Sequence, residues 1–460
     1  METTGEVSHA PQLRRSLTLW DLILYGVIVI QPVAPMSVFG VLSNRGHGHV
    51  VSAILLAMVG MLFTAISYGR MARVYPSAGS AFTYVGQEIN PVLGYVTGWS
   101  MVMDYMLNPM ICIIWCGQQA HVFAPRVPYW TWAIFFAAVF TTLNIQGVKT
   151  SARVNAALAA VMGAVTAIFF VAAARYIFRS PHDGSAFFTR PFYDPQMFDF
   201  RAVLGATSIA VLTYIGFDGI STLSEEVENP RRNILLATVL TCLVIGVLSA
   251  FEVYAAQLIW PASHPFPDED TAFVSMAQRA WPPLFAIIGS TLLVANFGSG
   301  MGAQLGAARL LYGMGRSNAL PKSFFGVVDT RHRIPRNNVV FVGLIALLGG
   351  FLIHYGLGAE MLNFGALIAF MGVNAAALVH YFVRRRERTA RNFLPPVAGF
   401  AICLALWLGL SKPAKLAGAI WMAVGIAFGA WKTKGFRSSL INFDLPDESV
   451  QTKVSVSTEA

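Results

Sequence analysis

The stretch LILYGVIVI-QPVAP-MSVFGVL, residues 22–42, is apolar at both ends and carries two prolines at its centre. A second interrupted stretch, VLTYI-GFDG-ISTL at residues 211–223, lies half a protein further along the chain. Each belongs to an apolar segment long enough to span a bilayer, yet each places proline or paired glycine where a helix should be most regular.

These two interruptions predict a cavity inside a membrane protein. In hydrocarbon an unpaired backbone amide or carbonyl costs several kcal/mol, so a break is tolerated only beside a cavity or a ligand. A pair of breaks at matching places in two halves of a chain indicates the central site of a transporter. We therefore expect the two breaks to meet near the middle of the membrane.

The composition independently predicts a membrane protein. Hydrophobic residues make up 55% of the 460 residues and charged residues 12%, with a mean hydropathy of +0.58. A soluble domain carries about 25% charged residues. Twelve apolar stretches can be marked, at residues 22–43, 50–70, 85–120, 129–146, 154–178, 203–224, 235–260, 283–312, 338–355, 360–383, 393–411 and 413–431.

The predicted fold class is an all-α membrane protein of about twelve transmembrane helices. Two units of five helices, each starting with a broken helix (helices 1 and 6), form an inverted repeat, and two C-terminal helices follow. The expected divisions are a cytoplasmic N-terminal segment 1–20, a first repeat 21–178, an extracellular loop 179–202, a second repeat 203–383, helices 11 and 12 at 384–431, and a disordered cytoplasmic tail 432–460. The outer loops at 179–202 and 261–282 leave room for a short helix each.

We interpret the net charge of +9 as a sign of how the protein is oriented in the membrane, not as a sign of a nucleic-acid partner. With a cytoplasmic N-terminus, 22 of the 32 Lys and Arg residues lie on the inner side and nine on the outer side. This excess follows the positive-inside rule. We expect a multi-pass protein of the cell inner (cytoplasmic) membrane, in contact with the lipid bilayer, with both termini cytoplasmic and no nucleic-acid partner.

Several motifs resemble the amino acid–polyamine–organocation superfamily of permeases. They are YGRMARVYPSAGSAFTY at 68–84, GYVTGW at 94–99, GFD at 216–218, EEVENPRR at 225–232 and ARLLYGMGR at 308–316. The resemblance implies a proton-driven importer with twelve helices, in the fold of the sodium-coupled neurotransmitter carriers.

Within this superfamily the chain is most similar to bacterial putrescine importers. The shared phrases are LFTAISYG at 62–69, Asp104-Tyr105, TLSEE at 222–226 and NFGAL at 363–367. Two positions depart from the relatives. Ser37 stands where the putrescine importers carry an aspartate, and Met162 stands where proton-coupled amino acid members carry a lysine.

The substrate is expected to bind at the two breaks, because unwound half-helices present amide hydrogens at one end and bare carbonyls at the other. A zwitterionic amino acid suits both ends, whereas a diamine needs carbonyls and carboxylates only. The predicted binding residues are Gln31, Pro32, Val33, Ala34, Pro35 and Met36 in the first break and Gly216, Phe217, Asp218 and Gly219 in the second.

The two central side chains of the second break each have more than one reading. The ring of Phe217 can contact a cationic or apolar group of the substrate, or it can pack or gate. Asp218 can bind an amine, accept a coupling proton, or cap the half-helix that follows it.

Further binding candidates follow from the resemblance. Tyr105 is expected to place its hydroxyl at the cavity, and Glu225 or Glu226 can recognise an amine at the cytoplasmic side or pair with the nearby arginines. Asp104 is interpreted as a structural partner, for example of a helix end.

The candidates for ion coupling are Ser37, Asp218, Glu252 and Ser299. Glu252 is an acid inside an apolar span. Such an acid is by default a candidate for a proton relay. Ser37 and Ser299 can line the place where sodium-coupled relatives hold their ion. We expect H⁺ as the coupling ion, with Na⁺ as the weaker alternative.

The predicted function is a secondary active permease that imports an amino acid or polyamine by proton-coupled alternating access. The alternatives are an amino acid/amine exchanger and a non-transporting membrane sensor. The chain contains no His-Glu-x-x-His, no Gly-x-Ser-x-Gly and no phosphate-binding Gly-x-x-x-x-Gly-Lys motif. We predict no catalytic residue, no metal site and no cofactor.

Overall fold

The computed structural model describes residues 17–76, 79–147, 152–181, 184–224, 227–261, 264, 266, 268–329 and 334–435, with the backbone alone for 152–156. Glu225 and Glu226 lie outside the described residues. The same holds for residues 1–16 of the predicted N-terminal segment and for residues 436–460 of the predicted tail.

The described part of the chain folds into eighteen α-helices and contains no β-strand beyond one isolated bridge between Leu17 and Val227. The helices are α1 Leu19–Ile30, α2 Ala34–Arg45, α3 Val50–Val74, α4 Ser80–Glu88, α5 Pro91–Phe123, α6 Tyr129–Ile145, α7 Ala152–Arg179, α8 Ala186–Thr189, α9 Phe200–Ala210, α10 Gly219–Thr222, α11 Pro230–Ile259, α12 Ala272–Ala280, α13 Leu284–Arg316, α14 Lys322–Phe325, α15 Arg336–Leu352, α16 Tyr355–Leu378, α17 Ala390–Gly409 and α18 Lys412–Lys432. A 3₁₀ segment Val211–Thr213 extends α9, and a π-helical segment Val379–Arg384 extends α16.

Eight of these helices are long and apolar enough to cross a membrane, namely α3, α5, α7, α11, α13, α16, α17 and α18. The pair α1 and α2 passes the same test as one span that is bent by 41°. Three shorter apolar helices, α6, α9 with its 3₁₀ extension, and α15, lie between them. The prediction of an all-helical, multi-pass membrane protein is therefore confirmed.

The third apolar stretch, residues 85–120, does not form a single helix. The prediction of one helix over 85–120 is wrong at its start, because residues 85–88 belong to α4 and α5 begins at Pro91. The side chain of Asn90 accepts a hydrogen bond from the Val92 amide, and Pro91 occupies the first helical position. An asparagine cap followed by proline starts a new helix rather than continuing an old one. The stretches 179–202 and 261–282, which leave room for a short helix each, contain α8 and α12 respectively.

Helix α5 lies at the centre of the bundle and α18 at its edge. In the apolar part of α5, 89% of the residues are buried inside the protein, against 22% for α18. The two helices are joined by Trp99 and Trp421, whose rings stack at 4.8 Å while each indole N–H donates to the other residue's carbonyl, at 2.8 and 3.0 Å. Because α5 packs against α13 and α16 as well, it is well placed to present side chains to a central site.

Candidate functional site

The two interrupted helices touch each other at their breaks. Gly216 has a φ of +124°, and a Cβ at this position would lie 2.9 Å from Val29 Cγ1 and 3.0 Å from Ile30 Cγ1. Only glycine adopts this backbone conformation readily and leaves this much room. The expectation that the two breaks meet is thus confirmed.

The first break is short and its backbone is largely satisfied. Gln31 ends α1 in a conformation with φ 68°, and Pro32 and Pro35 have no amide hydrogen to donate. The amide of Ala34 donates to the carbonyl of Gln31 at 3.1 Å, and that of Met36 donates to Val33 at 3.1 Å. The start of α2 therefore has few amide hydrogens left for a ligand.

The second break is a run of tight turns stabilised by side-chain hydroxyls. The chain leaves α9 through the 3₁₀ segment, and the amide of Gly219 donates to the carbonyl of Gly216 at 3.1 Å. Ser221 Oγ donates to the carbonyl of Asp218 at 2.6 Å, and Thr222 Oγ1 donates to that of Gly219 at 2.7 Å. These hydroxyls add to the few backbone hydrogen bonds of α10, which is only four residues long.

Asp218 is held at the junction by two donors. Its side chain is 1% exposed, accepts a hydrogen bond from the Tyr105 hydroxyl at 2.8 Å, and accepts another from the Gly216 amide at 3.2 Å. The reading of Asp218 as a cap of the following half-helix is wrong, because its side chain makes no capping bond to α10. Its carboxylate points instead to α5 and to the turn before it, which leaves the amine and proton readings open.

A small cavity of ≈ 40 Å³ lies between the two breaks, α5 and α13. Among the described residues around it, no side chain carries a formal charge, and six are polar. The lining residues are Val29, Ile30, Gln31, Ala34, Ser37, Asn108, Ile111, Cys112, Leu212, Ile215, Asn296, Ser299 and Tyr355.

The predicted binding residues separate into three groups. Gln31 and Ala34 line the cavity, whereas Pro32, Val33, Pro35 and Met36 are buried without lining it. Gly216, Asp218 and Gly219 form the facing turn. Gly219 lies beside two phenols, since a Cβ on it would be 3.6 Å from the Tyr25 hydroxyl and 3.8 Å from the Tyr105 hydroxyl.

Phe217 does not line the cavity in this conformation. Its ring is fully buried, packs edge-on against Tyr68 at 5.6 Å and lies tilted against Phe370 at 5.3 Å. This aromatic cluster joins the second break to α3 and α16. Of the roles considered for Phe217, packing is therefore the one that it has in this conformation.

The two serines proposed for ion coupling both lie at the cavity and both have protein partners. Ser299 Oγ donates to the carbonyl of Val29 at 3.1 Å, a group that the break in α1 frees from helical bonding. Asn296 Nδ2 lies 3.4 Å from Ser37 Oγ. Helix α13 thus supplies polar partners to both halves of the first broken helix.

Glu252 lies apart from the cavity, on α11. Its side chain is fully buried, and Thr166 Oγ1 on α7 donates to its Oε1 at 3.1 Å. Its Oε2 has no hydrogen-bond partner among the described residues. An acid with one open oxygen, packed between two spans, is suited to hold a proton.

Three polar residues of the cavity were missed by the sequence reasoning, namely Asn108, Asn296 and Tyr355. Two of them carried a signal. Asn108 precedes a proline inside α5, and Asn296 lies three residues before Ser299, on the same helix face. Tyr355 is the first residue of α16, and no sequence pattern indicated that it lies at the cavity.

Comparisons with known proteins match most of this chain to a family of permeases. A family model described as amino acid permease matches residues 32–435. The low-affinity putrescine importer PlaP of Escherichia coli strain K12 is 35% identical over 444 residues, which cover 94% of this chain and 97% of the importer.

More distant relatives share most of their length with this chain. The branched-chain amino acid permease BcaP of Lactococcus lactis is 26% identical, with 89% of this chain and 93% of the permease covered. The methylthioribose transporter of Bacillus subtilis is 24% identical, with 92% and 95% covered.

Gly216→Ala is expected to destabilise the protein by about 1–3 kcal/mol, because the side chain meets α1 and the φ is unfavourable for alanine. Adding Val29→Ala relieves the contact with Val29 but leaves that with Ile30 and the backbone strain, so the double variant should recover only part of the loss. Thermal unfolding in detergent measures both. Gly298→Ala is the control, since a Cβ there has no atom within 4 Å. Wild-type stability of Gly216→Ala would contradict the close meeting of the breaks.

Proposed function

The chain belongs to the amino acid permease family, and we propose that it is a secondary active transporter that imports an amino acid or a polyamine-type organic cation. Family membership makes it a transporter rather than an enzyme. The relatives named above carry putrescine, branched-chain amino acids and methylthioribose, as their names state. The substrate of this chain is therefore proposed from its own site.

One observation carries the proposal, namely a buried carboxylate where two interrupted helices meet. Asp218 is 1% exposed and lies within the turn that packs against α1. A buried acid in a membrane protein that pairs with no described cation marks a substrate or ion pathway. The small polar cavity between the same two breaks, which Asp218 does not line, would have to widen to take the rest of a small polar molecule.

The proposed topology has twelve spans with both termini in the cytoplasm. They are the eight long helices, the bent pair α1–α2 and the three shorter apolar helices. In this arrangement α1–α2 and α9–α10 are the first helices of two inverted five-helix units, as the matching position of their breaks suggests. The excess of Lys and Arg on one side supports the orientation.

Alternating access is proposed because the cavity is too small for a substrate in this conformation. Its ≈ 40 Å³ is far below the roughly 300–1,000 Å³ of ordinary ligand sites. Two contacts are proposed to close the ends of the substrate path. Glu228 donates its amide to the Leu17 carbonyl at 2.9 Å near the inner end, and Arg45 pairs with Glu360 at 3.8 Å near the outer end. Binding and release require these contacts to open in turn.

The coupling ion is proposed to be H⁺, carried by Glu252. Its buried carboxyl group and open Oε2 support this assignment. Asp218 is the second candidate. Ser37 and Ser299 remain the candidates for Na⁺, although Ser299 is already bonded to the Val29 carbonyl. Exchange of one amine or amino acid for another is the alternative mode of transport.

Asp218→Asn is expected to lower substrate uptake by about tenfold to a hundredfold, because that factor corresponds to the free energy of one charge-assisted hydrogen bond. Phe217→Ala should lower it as well, because the aromatic cluster that holds the second break is lost. Uptake of labelled putrescine and of labelled leucine into proteoliposomes measures both variants. Protein incorporated into the vesicles is quantified for each. Full uptake by both variants would refute the proposed site.

Glu252→Gln is expected to abolish the dependence of uptake on an imposed pH gradient, because glutamine cannot exchange a proton. Glu228→Gln, at an exposed position before α11, is the matched control and should keep it. The same vesicles are assayed with and without an inward proton gradient. An unchanged response of Glu252→Gln to the gradient would place the coupling proton elsewhere.

A further inference from the structure

The connection between α16 and α17 carries a dense group of positive charges. It lies at the end of α16 that the proposed topology places on the cytoplasmic side. The eight residues from 384 to 391 include five arginines, and all five side chains are exposed, namely Arg384, Arg385, Arg386, Arg388 and Arg391. We call these five residues the arginine patch.

Little of the charge of the arginine patch is neutralised by the protein itself. Arg384 pairs with Glu88 on α4 at 3.2 Å. The other four arginines form no ion pair with an acid in the described part of the chain. Glu387 is the one acid between residues 384 and 391, and its carboxylate accepts a hydrogen bond from the Asn392 side chain at 3.0 Å. The patch therefore presents an excess of positive charge at the surface.

The backbone that carries the arginine patch is held in a defined conformation. The amide of Arg385 donates to the carbonyl of His380 at 3.0 Å. Arg70 on α3 donates to the carbonyl of Arg391 at 3.1 Å, which ties the segment to a third helix. Arg386 has a φ of +55°, a conformation that glycine adopts at lower cost. Glycine would thus suit this turn better, and what Arg386 adds is its charged side chain.

An apolar stripe on α17 begins beside the arginine patch. It consists of four large hydrophobic side chains at intervals of seven, four and four residues, namely Phe393, Phe400, Leu404 and Leu408. This spacing places them on one face of the helix, and all four are exposed. Only 28% of the apolar part of α17 is buried inside the protein. In a helix that spans a bilayer, such a face contacts acyl chains.

The arginine patch and the apolar stripe together fit one class of ligand. A phospholipid places its phosphate at the membrane surface and its acyl chains in the hydrocarbon, which is the order in which the patch and the stripe follow each other. The guanidinium group matches the geometry of phosphate oxygens. Positive charge on the inner side also orients a membrane protein, but orientation requires neither a fixed turn nor arginine rather than lysine.

We propose that the arginine patch binds the headgroup phosphate of an anionic phospholipid of the inner leaflet, with an acyl chain along the apolar stripe of α17. A free phosphate ion lacks the acyl chain, and a neutral phospholipid lacks the net negative charge, so both bind more weakly. A lipid at this site contacts α16 and α17 directly and is linked to α3 through Arg70. The inference does not depend on the substrate proposed above.

The test is binding of phosphatidylglycerol to the purified full chain in detergent, measured by native mass spectrometry. Phosphatidylcholine with the same acyl chains is the neutral probe. The wild type should bind phosphatidylglycerol at least about tenfold more tightly than phosphatidylcholine, because the patch attracts only the lipid with a net negative charge. Inorganic phosphate should not displace the bound phosphatidylglycerol.

Variants of the arginine patch assign the binding to it. Arg386→Gly removes one charge and relieves the left-handed backbone at this position. It should therefore fold like the wild type and bind phosphatidylglycerol roughly fivefold more weakly. Replacing Arg385, Arg386 and Arg388 together by glutamine should weaken binding by about a hundredfold. Where this triple variant does not yield folded protein, Arg386→Gly provides the readout.

The matched control removes three positive charges elsewhere on the same side of the proposed topology. Its substitutions are Lys322→Gln, Arg336→Gln and Lys434→Gln, all at exposed positions. This control should bind phosphatidylglycerol about as tightly as the wild type, because the arginine patch is intact. An equal loss of binding in the control and in the patch triple would show attraction by net charge alone and refute the site.

Three further outcomes would refute the lipid site. They are equal binding of phosphatidylglycerol and phosphatidylcholine, displacement by inorganic phosphate, and wild-type affinity of both patch variants. A different occupant would be indicated by neutralising acids in the C-terminal segment, which lies outside the described residues. A gain in phosphatidylglycerol binding of about tenfold would assign the patch to that segment instead, with the substitutions Asp444→Asn, Asp447→Asn and Glu448→Gln.

Discussion

A backbone group that leaves the helical hydrogen-bonding pattern inside a bilayer must find a partner within the protein, and this constraint determines the centre of the molecule. The Val29 carbonyl, freed at the first break, accepts from Ser299 on α13. At the second break the carbonyl of Asp218 accepts from Ser221, and the amide of Gly216 donates to the Asp218 carboxylate. Each interruption is thus fixed by a specific side chain, so the breaks are defined structures rather than loose kinks.

The way in which the breaks are satisfied also decides what the site can attract. Helix interruptions can in principle offer both amide hydrogens and carbonyls to a ligand. Here the amides are missing at the prolines or used in turns, while the Asp218 carboxylate lies buried at the second break. A buried carboxylate without a cationic partner among the described residues supports the proposal of a substrate that carries an amino group.

The sequence predicted what depends on local chemistry. Proline pairs, glycine pairs and the apolar stretches located both breaks and the helical membrane fold, and the contact between the breaks followed from the physics of hydrocarbon. The sequence failed where a result depends on distant partners. Asp218 was suited to cap α10, but Tyr105 from α5 and the Gly216 amide take its oxygens instead.

The most direct test of the account is an experimental structure of the protein with putrescine bound. We predict that density for the ligand lies between the breaks of α1–α2 and α9–α10, in an enlarged cavity. One of its nitrogens should lie about 3 Å from a carboxylate oxygen of Asp218. A ligand bound elsewhere, with the cavity still closed and Asp218 still bonded only to Tyr105 and Gly216, would contradict the central claim.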